Sequence, residues 1–387
     1  MRMILEEFTQ FGGNHCQTAA LKSVLAYHEL ELSEEMLLGL GGGIGFIYWY
    51  MKQMPAPFVG GRYGGRNEEF LINICRRIGG DAALFETTSV KKGHKELLNM
   101  LQNGEPVFTY VDMAYLPYMA IPEDAHFGAH TIAVYGIDEE EDTVYVADRG
   151  KNPVTCTVED LKEARSSKYP PFPPKNRILK IDYPARLKDL QEGISDAIKE
   201  CCHAMLHPPI KNFGLEGIKK WANVVKKWPD QFTGLDLYGC LMNVYIYIEI
   251  GGTGGSAFRP MFARFLREAS CITNNSELDE VAVLYEECGK VWSAIAEAAL
   301  PDSWVTLKKT RELMFKKNRI FEEQKPDALP KMVKINGEME ELMGNVVEEL
   351  QENKRGLQVL LTNLQQRILN LHQVENKAVH ALNKAVK

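Results

Sequence analysis

The chain is 387 residues long, with 45% hydrophobic and 25% charged residues, which is enough for two domains with substantial cores and ordinary for a globular protein. Its formal net charge of −7 argues against a general nucleic-acid binder, which needs a basic face. The eight cysteines form no CxxC pair, no apolar run is long enough to span a membrane, and the first residues carry no signal-like apolar core; we expect a cytoplasmic protein with reduced thiols and no membrane association.

In chain order, apolar spacing predicts helices over 17–28, 33–40, 67–78 and 94–103, then strands near 106–111, 131–136 and 143–148. Gly104-Glu-Pro106 marks the turn before the apolar run Val107 to Val111. The four prolines within Ser166 to Lys175 cannot continue a helix or sheet because they lack N–H donors, so a loop should precede one more strand from Asn176 to Tyr183. From Leu187 onward the pattern is helical. Pro326 and Pro330 punctuate its end, and 331–387 should form one or two long amphipathic helices with a possible break at Gly356. These could pair in a homodimer or pack on their own domain. The expected domains are 1–184, 185–330 and 331–387, and helices followed by antiparallel strands suggest an α+β, papain-like first domain ahead of a mostly helical second one.

Two short segments carry the chemistry. Cys16 ends Gln10-Phe-Gly-Gly-Asn-His-Cys16 and opens the helical pattern of Ala20, Leu21, Val24 and Leu25, where a helix N-terminus stabilises the thiolate that acts as nucleophile. Gln10 stands at the spacing where papain-like enzymes place an oxyanion donor. A buried core cysteine is the competing interpretation. Further on, His130 enters one expected strand and Asp148 leaves the next, so an antiparallel hairpin makes them neighbours. The carboxylate would fix the imidazole, and the imidazole would deprotonate Cys16. His126 competes for the base role but lies in the loop after Pro122. His126 and His130 also have the spacing of a zinc pair, without the HExxH glutamate or a helix to carry it, so no metal is expected.

His15-Cys16-Gln-Thr-Ala-Ala-Leu21, Ser33 through Phe46 and His130 through Asp148 resemble the N-terminal domain of the butirosin biosynthesis protein H family. Tyr247 through Arg259 and Phe262 through Ala269 resemble the second domain usually fused to it. The resemblance implies a cysteine-protease-like acyltransferase or amide synthetase. Such an enzyme moves an acyl group from an acyl or peptidyl carrier-protein thioester, through S-acyl-Cys16, to a small-molecule amine in natural-product biosynthesis. It carries the catalytic roles onto Cys16, His130 and Asp148. No cofactor is implied beyond the phosphopantetheine of the carrier substrate. A papain-like peptidase or amidase is the alternative, since the same triad hydrolyses amides when water enters, and an inactive binding scaffold is a third.

Other motifs fit nucleotide sites poorly. Gly39 to Gly45 and Gly251 to Gly255 have no following Lys-Ser or Lys-Thr, so neither is a P-loop, and close backbone approach is the simpler use of the glycines. Glu249 and Arg259 flank the second run as an expected ion pair or as substrate-facing groups. Cys201, Cys202, His203 and His207 offer soft ligands without a second half. The basic helix from Lys219 to Trp228 suits either a docking face for an acidic carrier or a solvated face over core tryptophans.

Overall fold

The structure is a computed structural model that describes residues 1–52, 54–62, 67–122 and 124–386; Lys387, the end of the expected C-terminal helices, lies outside the described residues. The first half runs β1 (Arg2–Ile4), α1 (Cys16–Tyr27), α2 (Glu34–Leu40), β2 (Ile47–Trp49), β3 (Phe58–Gly60), α3 (Asn67–Arg77), β4 (Asp81–Phe85), α4 (Val90–Gln102), β5 (Val107–Val111), β6 (His130–Asp138), β7 (Thr143–Ala147), β8 (Val154–Cys156), α5 (Val158–Ser166) and β9 (Ile178–Asp182). Helices follow: α6 (Gln191–Leu206), α7 (Gly214–Val224), α8 (Trp228–Gln231), α9 (Gly234–Tyr245), α10 (Arg259–Thr273), α11 (Glu277–Ala299), α12 (Val305–Glu323), α13 (Ala328–Glu352) and α14 (Lys354–Ala385). The class is α+β with an antiparallel sheet. Strands β1 to β4, β8 and helix α5 were not anticipated.

Two compact units divide the chain, and they do not follow sequence order. One gathers 1–37, 74–188 and 317–336; the other gathers 38–73, 189–316 and 337–387. The expected domains 1–184, 185–330 and 331–387 are contiguous stretches, whereas here 38–73 joins the mainly helical unit and 317–336 joins the sheet unit.

The first unit is built on a sheet of order β4-β9-β5-β6-β7-β8, antiparallel throughout. Strand β5 is buried at all five positions and β6 at all but one, the sign of central strands covered on both faces. One edge of β6 pairs with β5 over His130–Val134 and with β1 over Gly136–Asp138. A register shift between Val134 and Gly136 breaks the β6–β7 ladder there. A Cβ on Gly136 would stand 3.1 Å from the Ile4 Cα, so glycine lets β1 approach. Leu97, Leu101, Val107, Ile132, Val134, Val144, Leu161 and Ile178 form the core, which Phe321, Ala328 and Met332 complete.

In the second unit Trp221, Trp228, Trp292, Phe262 and Phe265 are fully buried. The glycine run of 39–45 serves close packing: a side chain at Gly39, Gly41 or Gly43 would overlap Phe265, Phe70 or Phe262. Trp221 and Trp228 are core while Lys219 is exposed on Glu216, the solvated-face alternative for that helix. The apolar stripe of α14, from Leu357 through Leu371 to Leu382, is buried, and the helix packs on α7 and α11. The break between the last two helices falls at Asn353, not at Gly356. The Asn353 side chain accepts the Gly356 N–H at 2.8 Å, so glycine sits inside the first turn that asparagine caps.

Candidate active site

Cys16 is the first residue of α1 and is held there by the turn before it. Glu34, at the start of α2 and buried, accepts the main-chain N–H of Asn14 at 3.0 Å and of His15 at 2.8 Å, and the Thr18 hydroxyl at 2.9 Å. A Cβ on Gly13 would lie 2.6 Å from the Ala19 Cβ and 3.0 Å from Glu34 Oε1, so only glycine permits this approach. The turn is also joined to the segment after β7: Gly13 N–H donates to the Arg149 carbonyl at 2.8 Å, and the Arg149 guanidinium to the Asn14 carbonyl at 3.1 Å. No side chain caps α1, which leaves the positive end of its dipole at the thiol.

His130 begins β6 opposite Val111 of β5, and Asp148 follows the last residue of β7. The hairpin brings His130 Nε2 to 2.8 Å from Asp148 Oδ2, with both residues buried. Asp148 also accepts the Arg149 N–H at 2.6 Å and the Tyr118 hydroxyl at 3.0 Å. The Cys16 thiol lies close enough to the same imidazole for each to shift the ionisation of the other. With Nε2 occupied by Asp148, Nδ1 is the nitrogen left for sulfur.

Electrostatics set this cysteine apart. Burial raises its thiol, but the hydrogen bond and charge of His130, helped by Arg149, outweigh that and bring it down to about 7. Burial also works against a charged His130; the charge and hydrogen bond of Asp148 reverse the sign and raise it to about 10. Asp148, penalised by burial, is held below the usual carboxylate range by His130 and Arg149. Burial pushes Cys75, Cys156 and Cys202 up to about 12, and Cys201, Cys240 and Cys288 higher still. Cys16 is therefore the cysteine whose sulfur is shifted towards ionisation, and it remains partly exposed.

The remaining expected site residues go elsewhere. Gln10 donates its side-chain N–H groups to the carbonyls of Asp148 at 3.3 Å, Asn152 at 3.0 Å and Gly150. That holds the segment carrying Asp148 against the Cys16 turn and engages the side-chain N–H groups of the residue expected as an oxyanion donor. His126 pairs through Nδ1 with the fully buried Asp112 at 2.9 Å, which also accepts the Ser167 hydroxyl at 2.6 Å. His126 and His130, which share the spacing of a zinc pair, thus each have their own carboxylate. Among the described residues no three His, Cys, Asp or Glu side chains are grouped to hold a metal ion. Glu249 and Arg259 are not partners: Glu249 accepts from Ser293 at 2.6 Å, whereas Arg259 pairs with Glu375 at 2.7 Å. Tyr118 and Glu34 escaped the sequence analysis because their contacts span 30 residues and 16 to 20 residues of chain with no periodic pattern to reveal them.

Residues 15–149 match the family described as butirosin biosynthesis protein H, N-terminal, in agreement with the resemblance seen in the sequence. Residues 159–311 match a domain of unknown function (DUF4872). None of the curated proteins compared matches the chain.

Proposed function

We propose, from the premise that residues 15–149 belong to the butirosin biosynthesis protein H N-terminal family, that this protein is a cysteine-dependent acyltransferase with a papain-like catalytic domain. Its reaction would join an acyl group, delivered as a carrier-protein thioester, to an amine. The observation that supports this most is the meeting of Cys16, His130 and Asp148, three residues distant in sequence, around a thiol lowered to about 7. A thioester carries its own activation, so the scheme requires no nucleotide.

In the first half-reaction the Cys16 thiolate adds to the thioester carbonyl carbon. Main-chain N–H groups at the start of α1, the Cys16 N–H first among them, would stabilise the oxyanion. Collapse breaks the bond to the carrier sulfur, which takes its proton from His130, and leaves S-acyl-Cys16. In the second half-reaction an amine attacks that acyl carbon, His130 removes the amine proton, and Cys16 departs as thiolate. The products are an amide and the free carrier thiol, and the enzyme returns to its ion-paired state. Throughout, Asp148 keeps the imidazole oriented and favours its charged form.

Incubating the full chain with an acyl thioester of N-acetylcysteamine and following intact mass tests the scheme. We expect an increment of one acyl group on Cys16, none in Cys16→Ala, and discharge as an amide once an amine is added. Acylation of other cysteines, or no increment, would refute it. Release as free acid at a rate indifferent to the amine would assign the site to hydrolysis instead.

A further inference from the structure

Asp148 is steadied from two directions, and both supports lead to one stretch of chain. The hydroxyl donor Tyr118 sits in the short helical turn Pro117–Met119, which Ala120 closes in the left-handed conformation at φ 47°. The Ala120 carbonyl accepts two hydrogen bonds, from Lys317 Nζ at 2.7 Å and from Asn336 Nδ2 at 2.8 Å, and Lys317 also donates to Asn336 Oδ1 at 2.7 Å. On the other side, the segment leaving Asp148 meets the end of α12. Lys151 N–H donates to the Glu322 carbonyl at 2.9 Å and Asn152 Nδ2 to the Glu323 carbonyl at 2.8 Å, while the Arg149 guanidinium lies 5.1 Å from the centre of the Phe321 ring. Any side chain on Gly150 would overlap Gln324.

All these groups belong to the sheet unit, yet 317–336 lies beyond both matched regions, 15–149 and 159–311. Lys317 is partly buried and donates to the Ala120 carbonyl and Asn336 Oδ1, both neutral acceptors; burial disfavours its ammonium and lowers it to about 8. Two partly buried donors on one carbonyl of a left-handed turn make that turn, and the tyrosine it carries, hard to displace.

We propose that 317–336 is a brace for the catalytic carboxylate and that Lys317 and Asn336 are positioning residues, acting through the Ala120 carbonyl to hold the Tyr118 hydroxyl on Asp148. The consequence reaches the thiol. Each donor on a buried carboxylate favours its charged form, and a charged Asp148 is what supports the His130 imidazolium beside Cys16. Losing Tyr118 tilts the buried pair towards a neutral imidazole and a protonated carboxyl, which raises the pH at which Cys16 ionises. The proposal rests on the Cys16–His130–Asp148 assignment, but it can fail on its own.

The test measures the pH profile of Cys16 alkylation by iodoacetamide in the full chain, by peptide mass, and needs no knowledge of the substrate. Tyr118→Phe should move the midpoint upward by about half to one pH unit, a roughly three- to tenfold loss of rate below the midpoint. Asn336→Ala and Lys317→Met should each move it in the same direction. Each leaves the other donor on Ala120 in place, so if one variant fails to fold the other reports. Combined with Tyr118→Phe, neither should add a further shift, because all act through one bond. Variants of 317 and 336 that melt at lower temperature but keep the native midpoint would reduce the segment to packing and overturn the proposal, as would an unmoved midpoint in Tyr118→Phe. If native Cys16 ionises no earlier than an ordinary thiol, the triad assignment itself has failed.

Discussion

Asp148→Asn removes one charge from the site and keeps the shape that holds it. In the native protein burial alone would favour a neutral imidazole, and the Asp148 charge and hydrogen bond reverse this, raising His130 to about 10. Without that charge burial prevails, and Cys16 loses the cation that lowers its thiol from 9.0 to about 7. At a pH of about 7 a thiol of the native kind is roughly half ionised, whereas an ordinary thiol near 9 is about 1% ionised, so the thiolate population falls roughly 50-fold. Alkylation of Cys16 by iodoacetamide, followed across pH, reads this population directly. The native rate should climb as pH rises through about 7 and then level off; in Asp148→Asn the climb should move towards 9. In the proposed scheme turnover also needs His130 charged to protonate the leaving thiol, so acyl transfer should fall again as pH passes the His130 value near 10, giving a bell for the coupled pair. An Asp148→Asn variant with the native alkylation midpoint would refute the electrostatic argument, because Asp148 is the carboxylate that raises His130.

Three further outcomes follow from the same contacts. His126→Ala should leave the Cys16 midpoint unmoved and lower stability in urea by about 1–3 kcal/mol, since His126 satisfies the buried Asp112 and not the thiol; a large loss of thiol reactivity would return His126 to the base role. Glu34→Ala deprives two main-chain N–H groups and the Thr18 hydroxyl of their acceptor, so we expect a loss of about 2 kcal/mol and slower formation of S-acyl-Cys16, and equal acylation rates in variant and native protein would show that the turn holds without it. In the helical unit Arg259→Met strands the fully buried Glu375 and should cost about 3–5 kcal/mol in chemical denaturation, with a cost under about 1 kcal/mol contradicting a charged pair.

The site was legible where two strong local signals coincided. A cysteine opening a helix can be read from apolar spacing, and a histidine and an aspartate at matching ends of one hairpin can be read from strand alternation and an acidic turn. The structure puts those three side chains together, and residues 15–149 carry the corresponding family match. Gln10 shows where such reading stops. Its spacing to Cys16 is a sequence fact, but the direction of its amide depends on the carbonyls of Asp148 and Asn152, 138 and 142 residues further along the chain. Tyr118 and Glu34 were invisible for the same reason: a hydrogen bond between distant segments leaves no period in the chain. Short edge strands such as β1 and β8 were missed because three residues are too few to alternate detectably.

The division into units was the hardest feature to see, and its cause is physical. A sequence reading assigns domains to contiguous stretches, because composition shifts and proline punctuation are all it can register. Here Pro326 and Pro330 seemed to close a helical domain, yet the stretch containing them supplies Phe321, Ala328 and Met332 to the core of the sheet unit. The glycines of 39–45 likewise lie at and just past the end of a helix that begins in the sheet unit, and they stand against Phe70, Phe262 and Phe265 of the helical one. Helix α2 starts with Glu34 under the Cys16 turn and ends with Leu38, Gly39 and Leu40 in the helical unit; α12 and α13 likewise have residues in both. A chain that passes between units within continuous helices has no linker to betray the boundary. It follows that removing everything after about residue 188 would not liberate an intact sheet unit: the truncated protein would lack the Ala120 donors, the Glu322 and Glu323 carbonyls and part of its own core. A fragment of 1–188 that folds and alkylates Cys16 with the native pH midpoint would show that this dependence is weaker than the contacts imply.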